Sequence, residues 1–321
     1  MSSGFNSKFT KLSVTLAAAV LLAFAMGLGL SRASAASQQA PRGAAGATPG
    51  RGGRRGFGGF THPVPINYAD HNGWISLFNG KNLEGWKGNP DIWHVVDGAI
   101  VGTSSPQHPS GTTNIFYTRL EPSNFMLEVQ FKMIGEGANG GVQYRSQNKP
   151  PANMPNFGAR GRAPARGVRG PGGPQISAAQ IAQMRALAMK NREWDMMGYQ
   201  ADMDYRNMFT GQMYEQGTGR GIIAWPGDVV VAFEGQKPTL VAQAATPEQV
   251  KSWIHVGGWN QYLIIADGHT MIHIINGHVT AILVDQNPVF AATKGLIGFE
   301  LEGPGNIAIS YRDIWLKNLP L

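Results

Sequence analysis

Residues 125–133 read Phe125-Met126-Leu127-Glu128-Val129-Gln130-Phe131-Lys132-Met133. Every odd position is apolar, and the even positions hold Met126, Glu128, Gln130 and Lys132. A period of two kept over nine residues gives a strand one buried face and one wet face. Working outward, short β-type runs recur between turn residues at 74–78, 92–96, 99–103, 114–118 and 141–145. They continue at 199–204, 212–216, 262–266, 271–275, 279–285, 296–301 and 307–316. This rhythm predicts an all-β antiparallel sandwich. Asn276-Gly277, between 271–275 and 279–285, is a pair that tolerates positive φ and so predicts a hairpin turn.

Residues 147–194 interrupt the rhythm. A Pro-, Gly- and Arg-rich stretch over 149–174 leads into 176–191, where Ile176, Gln180 or Ile181, Met184, Leu187 and Ala188 recur at helical spacing behind Ser177, a plausible N-cap. The expectation is a loop plus one short helix inserted between two strands, either surface decoration or a lid over a cleft. At the other end, Lys8 and Lys11 precede an apolar run over 12–30, and Ala33-Ser34-Ala35 follows. This pattern predicts a signal peptide over 1–35, or an uncleaved anchor as the sole membrane attachment. A Gly/Arg/Pro-rich linker over 36–71 then leads to one domain over 72–321, placed in the periplasm or secreted.

The 321 residues contain no cysteine, which excludes disulfide scaffolds, thiolate metal sites and cysteine nucleophiles. The net charge of +7 arises from residues 1–60, which hold seven basic residues and no acidic one; the rest of the chain balances. Eight further basic residues over 147–192 sit among Gly, Pro and Ala with no aromatic stripe, so nucleic acid is not an expected partner. Gly217-Thr218-Gly219 lacks the strand and helix of a nucleotide-binding turn, and no G-x-S-x-G elbow occurs.

Several stretches taken together resemble the 3-keto-disaccharide hydrolase domain family. They begin with Gly73-Trp74-Ile75-Ser76-Leu77-Phe78-Asn79-Gly80-Lys81-Asn82-Leu83-Glu84-Gly85-Trp86 and Trp93-His94-Val95-Val96-Asp97-Gly98. Asn139-Gly140-Gly141-Val142-Gln143-Tyr144-Arg145-Ser146, Gly198-Tyr199-Gln200-Ala201-Asp202-Met203-Asp204, Gly219-Arg220-Gly221 and Trp259-Asn260-Gln261-Tyr262 follow, and Ser310-Tyr311-Arg312-Asp313-Ile314-Trp315-Leu316 closes the set. The resemblance implies a concanavalin A-like jelly roll of two antiparallel sheets. It also implies cleavage of the glycosidic bond of a sugar already oxidised at C3, with a glycoside or oligosaccharide as partner. The chain departs from the family in its long Arg/Pro-rich insert and in Leu301-Glu302-Gly303, where a histidine-containing run is usual.

A 3-keto group acidifies the C2 proton, so the group at C1 can leave by elimination and water can add to the enone. That route needs a base, an acid and a group that stabilises the enolate. On 199–204, Gln200, Asp202 and Asp204 alternate with Tyr199, Ala201 and Met203 and so share one face. The spacing is similar to the E-x-D-x-E strand of laminarinase-like glycoside hydrolases, but Gln200 in the first place cannot act as a nucleophile. Asp202 is expected as base, Asp204 or Glu215 as acid, and Arg145, on the side of Gln143, as polariser. Only one of Tyr214 and Glu215 can face the cleft of a regular strand. Arg220, Trp259 and Asn260 are sugar-binding candidates, as are Glu300 and Glu302, which share a face, and His94. A divalent ion held by Asp202 or Asp204 with a histidine would polarise the ketone, although no spacing demonstrates one. The same residues would equally serve a non-catalytic carbohydrate-binding module.

Overall fold

A computed structural model describes residue 64, residues 66–148 and residues 178–320. The expected signal peptide, most of the linker, the stretch 149–174 and Ser177 lie outside the described residues. Seventeen strands are described. They are β1 (Ile75–Ser76), β2 (Trp86–Gly88), β3 (Trp93–Val96), β4 (Ala99–Ser104), β5 (Thr113–Tyr117), β6 (Phe125–Ile134), β7 (Asn139–Gln147), β8 (Met197–Asp204) and β9 (Met213–Gln216). After them come β10 (Gly221–Ala224), β11 (Asp228–Ala232), β12 (Thr239–Gln243), β13 (Asn260–Asp267), β14 (Thr270–Ile275), β15 (His278–Asp285), β16 (Leu296–Glu302) and β17 (Ile307–Asn318). Helices α1 (Ala178–Lys190) and α2 (Pro247–Trp253) complete the set.

The strands form two sheets. The larger runs β12-β11-β15-β14-β13-β6-β17-β4-β3, with β1 beside β17; the smaller runs β10-β9-β8-β7-β16-β5-β2. Every pairing is antiparallel except β11 with β15. This is the expected jelly-roll sandwich. The odd residues of β6 are at most 5% exposed and meet the inward residues of the smaller sheet: Tyr144, Tyr199, Ala201, Met203, Ile297, Phe299 and Leu301. Phe299 stacks on Tyr311 of the opposite sheet at 4.1 Å and on Trp86 at 5.0 Å. Each such ring withdrawn from water contributes about 2–3 kcal/mol, which is what holds the layers together. The hairpin at Asn276-Gly277 forms as expected, with φ of 50° and 82° and Ile275 opposite His278.

Three differences from the sequence reading have physical causes. β2, β10, β11 and β12 are short, Gly-flanked or edge strands with little alternation to read. Helix α2 begins at Thr246, whose hydroxyl accepts from the Gln249 amide N–H while the Gln249 side chain accepts from that of Thr246. The wet face of β6 is dry at Glu128, 3% exposed, because residues before β1 cross it. His71 stacks on Trp315 at 3.9 Å and lies 3.9 Å from the Glu128 carboxylate. Burial pushes the Glu128 carboxyl up to about 7, against the bond from Gln261.

Helix α1 lies within the expected 176–191, with Leu187 and Ala188 half-buried on it. Its following residue, Asn191, is 1% exposed and donates to the carbonyls of Ser110 (2.5 Å) and Thr112 (3.0 Å), which fixes the end of the insert beside β5.

Candidate active site

The chemistry-bearing residues gather on the outward face of the smaller sheet. Register builds this face strand by strand. Glu300 of β16 stands opposite Asn114 of β5 and Gly141 of β7, and Gly141 stands opposite Asp202 of β8. Gln143 pairs with Gln200, and Gln200 with Tyr214 of β9. Directly opposed residues project to the same side, so Asp202, Glu300, Tyr214, Gln143, Gln200 and Asn114 share one face. Tyr199, Ala201 and Met203 project into the core instead.

Gly141 leaves room on this face for the Gln200 side chain. A Cβ built on it would lie 2.5 Å from Cγ of Gln200 and 2.7 Å from its Nε2. Without that carbon the Gln200 side chain crosses β7 and donates to the Glu300 carboxyl. Gln143 donates to Gln216 in the next row, and Gln216 also bonds Glu300. Gln212 donates to one oxygen of Asp202, and the Met203 amide N–H donates to the other at 3.0 Å.

These carboxyls are buried: Asp202 is 8% exposed and Glu300 3%. Burial raises the pKa of Asp202, with the bond from Gln212 opposing and the charge of Asp204 adding. Burial raises that of Glu300 as well, reinforced by the charge of Glu302, while the bond from Gln200 opposes. The Tyr214 phenol is pushed up to about 12 by burial and then by Glu300 and Asp202, so it remains a hydrogen-bond donor. The charges of Glu302 and Asp202 thus add to burial at Glu300, as those of Asp204 and Glu302 do at Asp202, and all favour the neutral carboxyls. Both side-chain polar atoms of Asn114, and Oε1 of Gln212, are buried without a partner.

The structure therefore groups five of the anticipated residues: Gln200, Asp202, Tyr214, Glu300 and Glu302. Between Tyr214 and Glu215, the tyrosine faces outward. The remaining anticipated residues are committed to other partners or lie off this face. Asp204 follows Asp202 on β8, but its carboxylate accepts from the backbone N–H groups of Met208 (3.1 Å), Phe209 (2.7 Å) and Thr210 (3.1 Å) and clamps that loop. Glu215 projects inward, where Arg220 bonds both its oxygens at 2.6 and 2.7 Å and also reaches Asp285 at 2.7 Å. The Tyr199 hydroxyl donates to the same Asp285 oxygen at 2.6 Å. Glu215 and Arg220 are thus a tie between the sheets.

Arg145 is likewise a correction. Its φ of 46° and the register shift beside it break the alternation that would align it with Gln143. Its guanidinium donates instead to the carbonyls of Ser123 (2.7 and 2.9 Å), Gly268 (2.7 Å) and Ala292 (3.3 Å). His94 is exposed on β3, an edge strand of the larger sheet. Trp259 lies beside that sheet with Arg312 at 4.0 Å and Lys132 at 4.9 Å over its ring. Asn260 staples a turn, accepting from the His255 N–H and donating to the carbonyls of His255 and Gly258. His273 is fully buried, and burial takes it down to about 3. Among the described residues, no three His, Asp or Glu are grouped to hold a metal ion.

Sequence reasoning missed Asn114 and Gln212 as site residues and treated Gln143 only as a reference for Arg145. Asn114 and Gln143 lie in phase with Glu300 and Gln200, but that phase appears only once strand pairing is known.

A curated relative from Bacteroides thetaiotaomicron, "3-keto-disaccharide hydrolase", is 33% identical over 88 residues, which is 25% of this chain and 29% of the relative. The matched part is thus under a third of that protein's length. Among solved structures, a candidate glycosyl hydrolase from Parabacteroides distasonis ATCC 8503 is 17% identical with a TM-score of 0.43, covering 80% of this chain and 99% of that one. The Bacillus licheniformis β-glucanase is 8% identical with a TM-score of 0.42, covering 77% and 97%. Residues 73–317 match the 3-keto-alpha-glucoside-1,2-lyase-like domain along nearly the whole sandwich, and the chain belongs to that family.

Proposed function

We propose that this protein is a hydrolase of 3-keto-glycosides, 3-keto-disaccharides among them, working outside the cytoplasm by elimination across C1 and C2 followed by hydration. The observation that carries the reading is the buried pair of Asp202 and Glu300, with half-buried Glu302 and the Tyr214 donor beside them. Asp202 is the base. It is the more exposed of the two raised carboxyls, and its two N–H donors favour the ionised form. It takes the C2 proton, the C2–H electrons form the enolate onto the C3 oxygen, and Tyr214 donates a hydrogen bond there. The enolate collapses to an enone as the C1–O bond breaks, and neutral Glu300 gives its proton to the leaving oxygen. Water then adds at C1 and returns a proton to Glu300, and Asp202, its proton exchanged with solvent, protonates C2, which yields the free 3-keto sugar. The family and the name of the Bacteroides relative support the same substrate class.

The test is turnover in heavy water. Purified protein incubated with a 3-keto-disaccharide should release a 3-keto-monosaccharide carrying deuterium at C2, and the unoxidised disaccharide should stay intact. Product without deuterium at C2 would refute elimination. Binding of sugar with no turnover of the keto form would favour a carbohydrate-binding module, which the unpartnered amide of Asn114 also suits.

A further inference from the structure

Trp225 is 48% exposed, yet its backbone N–H and carbonyl are both hydrogen-bonded to Asp228. It opens the Trp225-Pro226-Gly227-Asp228 turn that carries the chain from β10 to β11. Its N–H donates to the Asp228 carboxylate at 3.2 Å, and its carbonyl accepts from the Asp228 N–H at 3.0 Å. Gly227, with φ of 93°, donates to the Thr280 carbonyl at 2.6 Å; a Cβ on it would lie 1.9 Å from the Ala245 oxygen. A large apolar ring held half in water on so fixed a turn exposes apolar surface that folding does not use.

Its neighbours link it to the carboxyls. The ring lies 6.1 Å from that of Phe209, in the loop clamped by Asp204. In β10 a register shift lies between Ile222, opposite Tyr214, and Ala224, which is fully buried opposite the inward Met213, so the half-exposed Trp225 that follows Ala224 turns to the outer side with Tyr214 and Gln212. Gln212 bonds Asp202 through its amide nitrogen, while its amide oxygen is buried without a partner. β10 lies two strands from β8, about 10 Å at ordinary strand spacing. That is about the span of a disaccharide, two linked sugar rings.

We infer that Trp225 and Gln212 form the subsite for the leaving sugar of a disaccharide, the indole covering its C–H face and the Gln212 amide oxygen accepting one of its hydroxyls. The inference rests on the hydrolase reading, and it makes the enzyme selective for a two-ring over a one-ring substrate.

Trp225→Ala and Trp225→Phe should both fold, since the side chain is half in water. On a 3-keto-disaccharide, Trp225→Ala should raise KM about ten-fold with kcat nearly unchanged. On methyl 3-keto-glucoside, which has no second ring, both constants should match the wild type, and Trp225→Phe should recover part of the loss. An equal KM for wild type and Trp225→Ala on the disaccharide overturns the subsite, as does an equal rise on both substrates. If the wild type turns over neither compound, the hydrolase reading fails while the subsite is still tested by calorimetric titration with the unoxidised disaccharide. Binding weakened by Trp225→Ala then supports the subsite; unchanged binding, or none by the wild type, overturns it.

Discussion

An added methyl group at Gly141 would collide with the Gln200 side chain, the bridge to Glu300. Gly141→Ala is therefore expected to displace that amide and to lower kcat by about ten-fold or more; steady-state kinetics beside a far-ultraviolet circular dichroism spectrum check both activity and fold. Asp202→Asn keeps shape and removes the base, so kcat should fall by about 10²–10⁴ with the fold intact. Because burial raises the Asp202 pKa, the carboxylate forms only at a pH above the ordinary carboxylate range. The wild-type rate should accordingly rise with pH through that raised value. A profile flat down to pH 4 would be the contrary result.

At the level of elements, the loop over 205–212 joins the acidic strand to the aromatic pair. Asp204 holds it through three backbone N–H groups, so Asp204→Ala should cost about 1–3 kcal/mol in urea unfolding. It should also raise KM more than it lowers kcat. This role was hidden in the sequence, because alternation shows which way a side chain points but not which main-chain groups will come to meet it. The same limit applies to Asn260. Arg145 defeated the parity argument itself: one left-handed residue shifts the register, and every side-chain assignment beyond it changes. By contrast β6, β8 and β16 were legible, since each buries one complete apolar row. The polar rows of β8 and β16 put Gln200 with Asp202, and Glu300 with Glu302, on one face each, and strand pairing joins the two. Glu215 and Arg220 were misassigned because a buried ion pair and a catalytic pair have the same composition.

Across the whole molecule, Arg220 ties Glu215 of the smaller sheet to Asp285 of the larger. Arg220→Ala would strand two carboxylates in the interior and should cost about 3–5 kcal/mol, read from chemical unfolding. Glu128 sets a second molecule-wide property. Its folded pKa of about 7 lies above the ordinary 4.5, so its contribution is fully present below 4.5 and is lost as pH rises through 7. Glu128→Gln should flatten that decline, leaving the variant more heat-stable than the wild type above pH 7 by on the order of 2 kcal/mol; thermal melts at pH 5 and pH 8 check it. The one parallel pairing among the described strands, β11 on β15, bears on how the sandwich is built. Val229 meets Ile282, more than fifty residues further along the chain, so no local zippering can make this contact, and β15 must already be seated on β14. The β11–β12 margin should be the last part to gain protection during refolding, and the first to surrender its amide protons to heavy water.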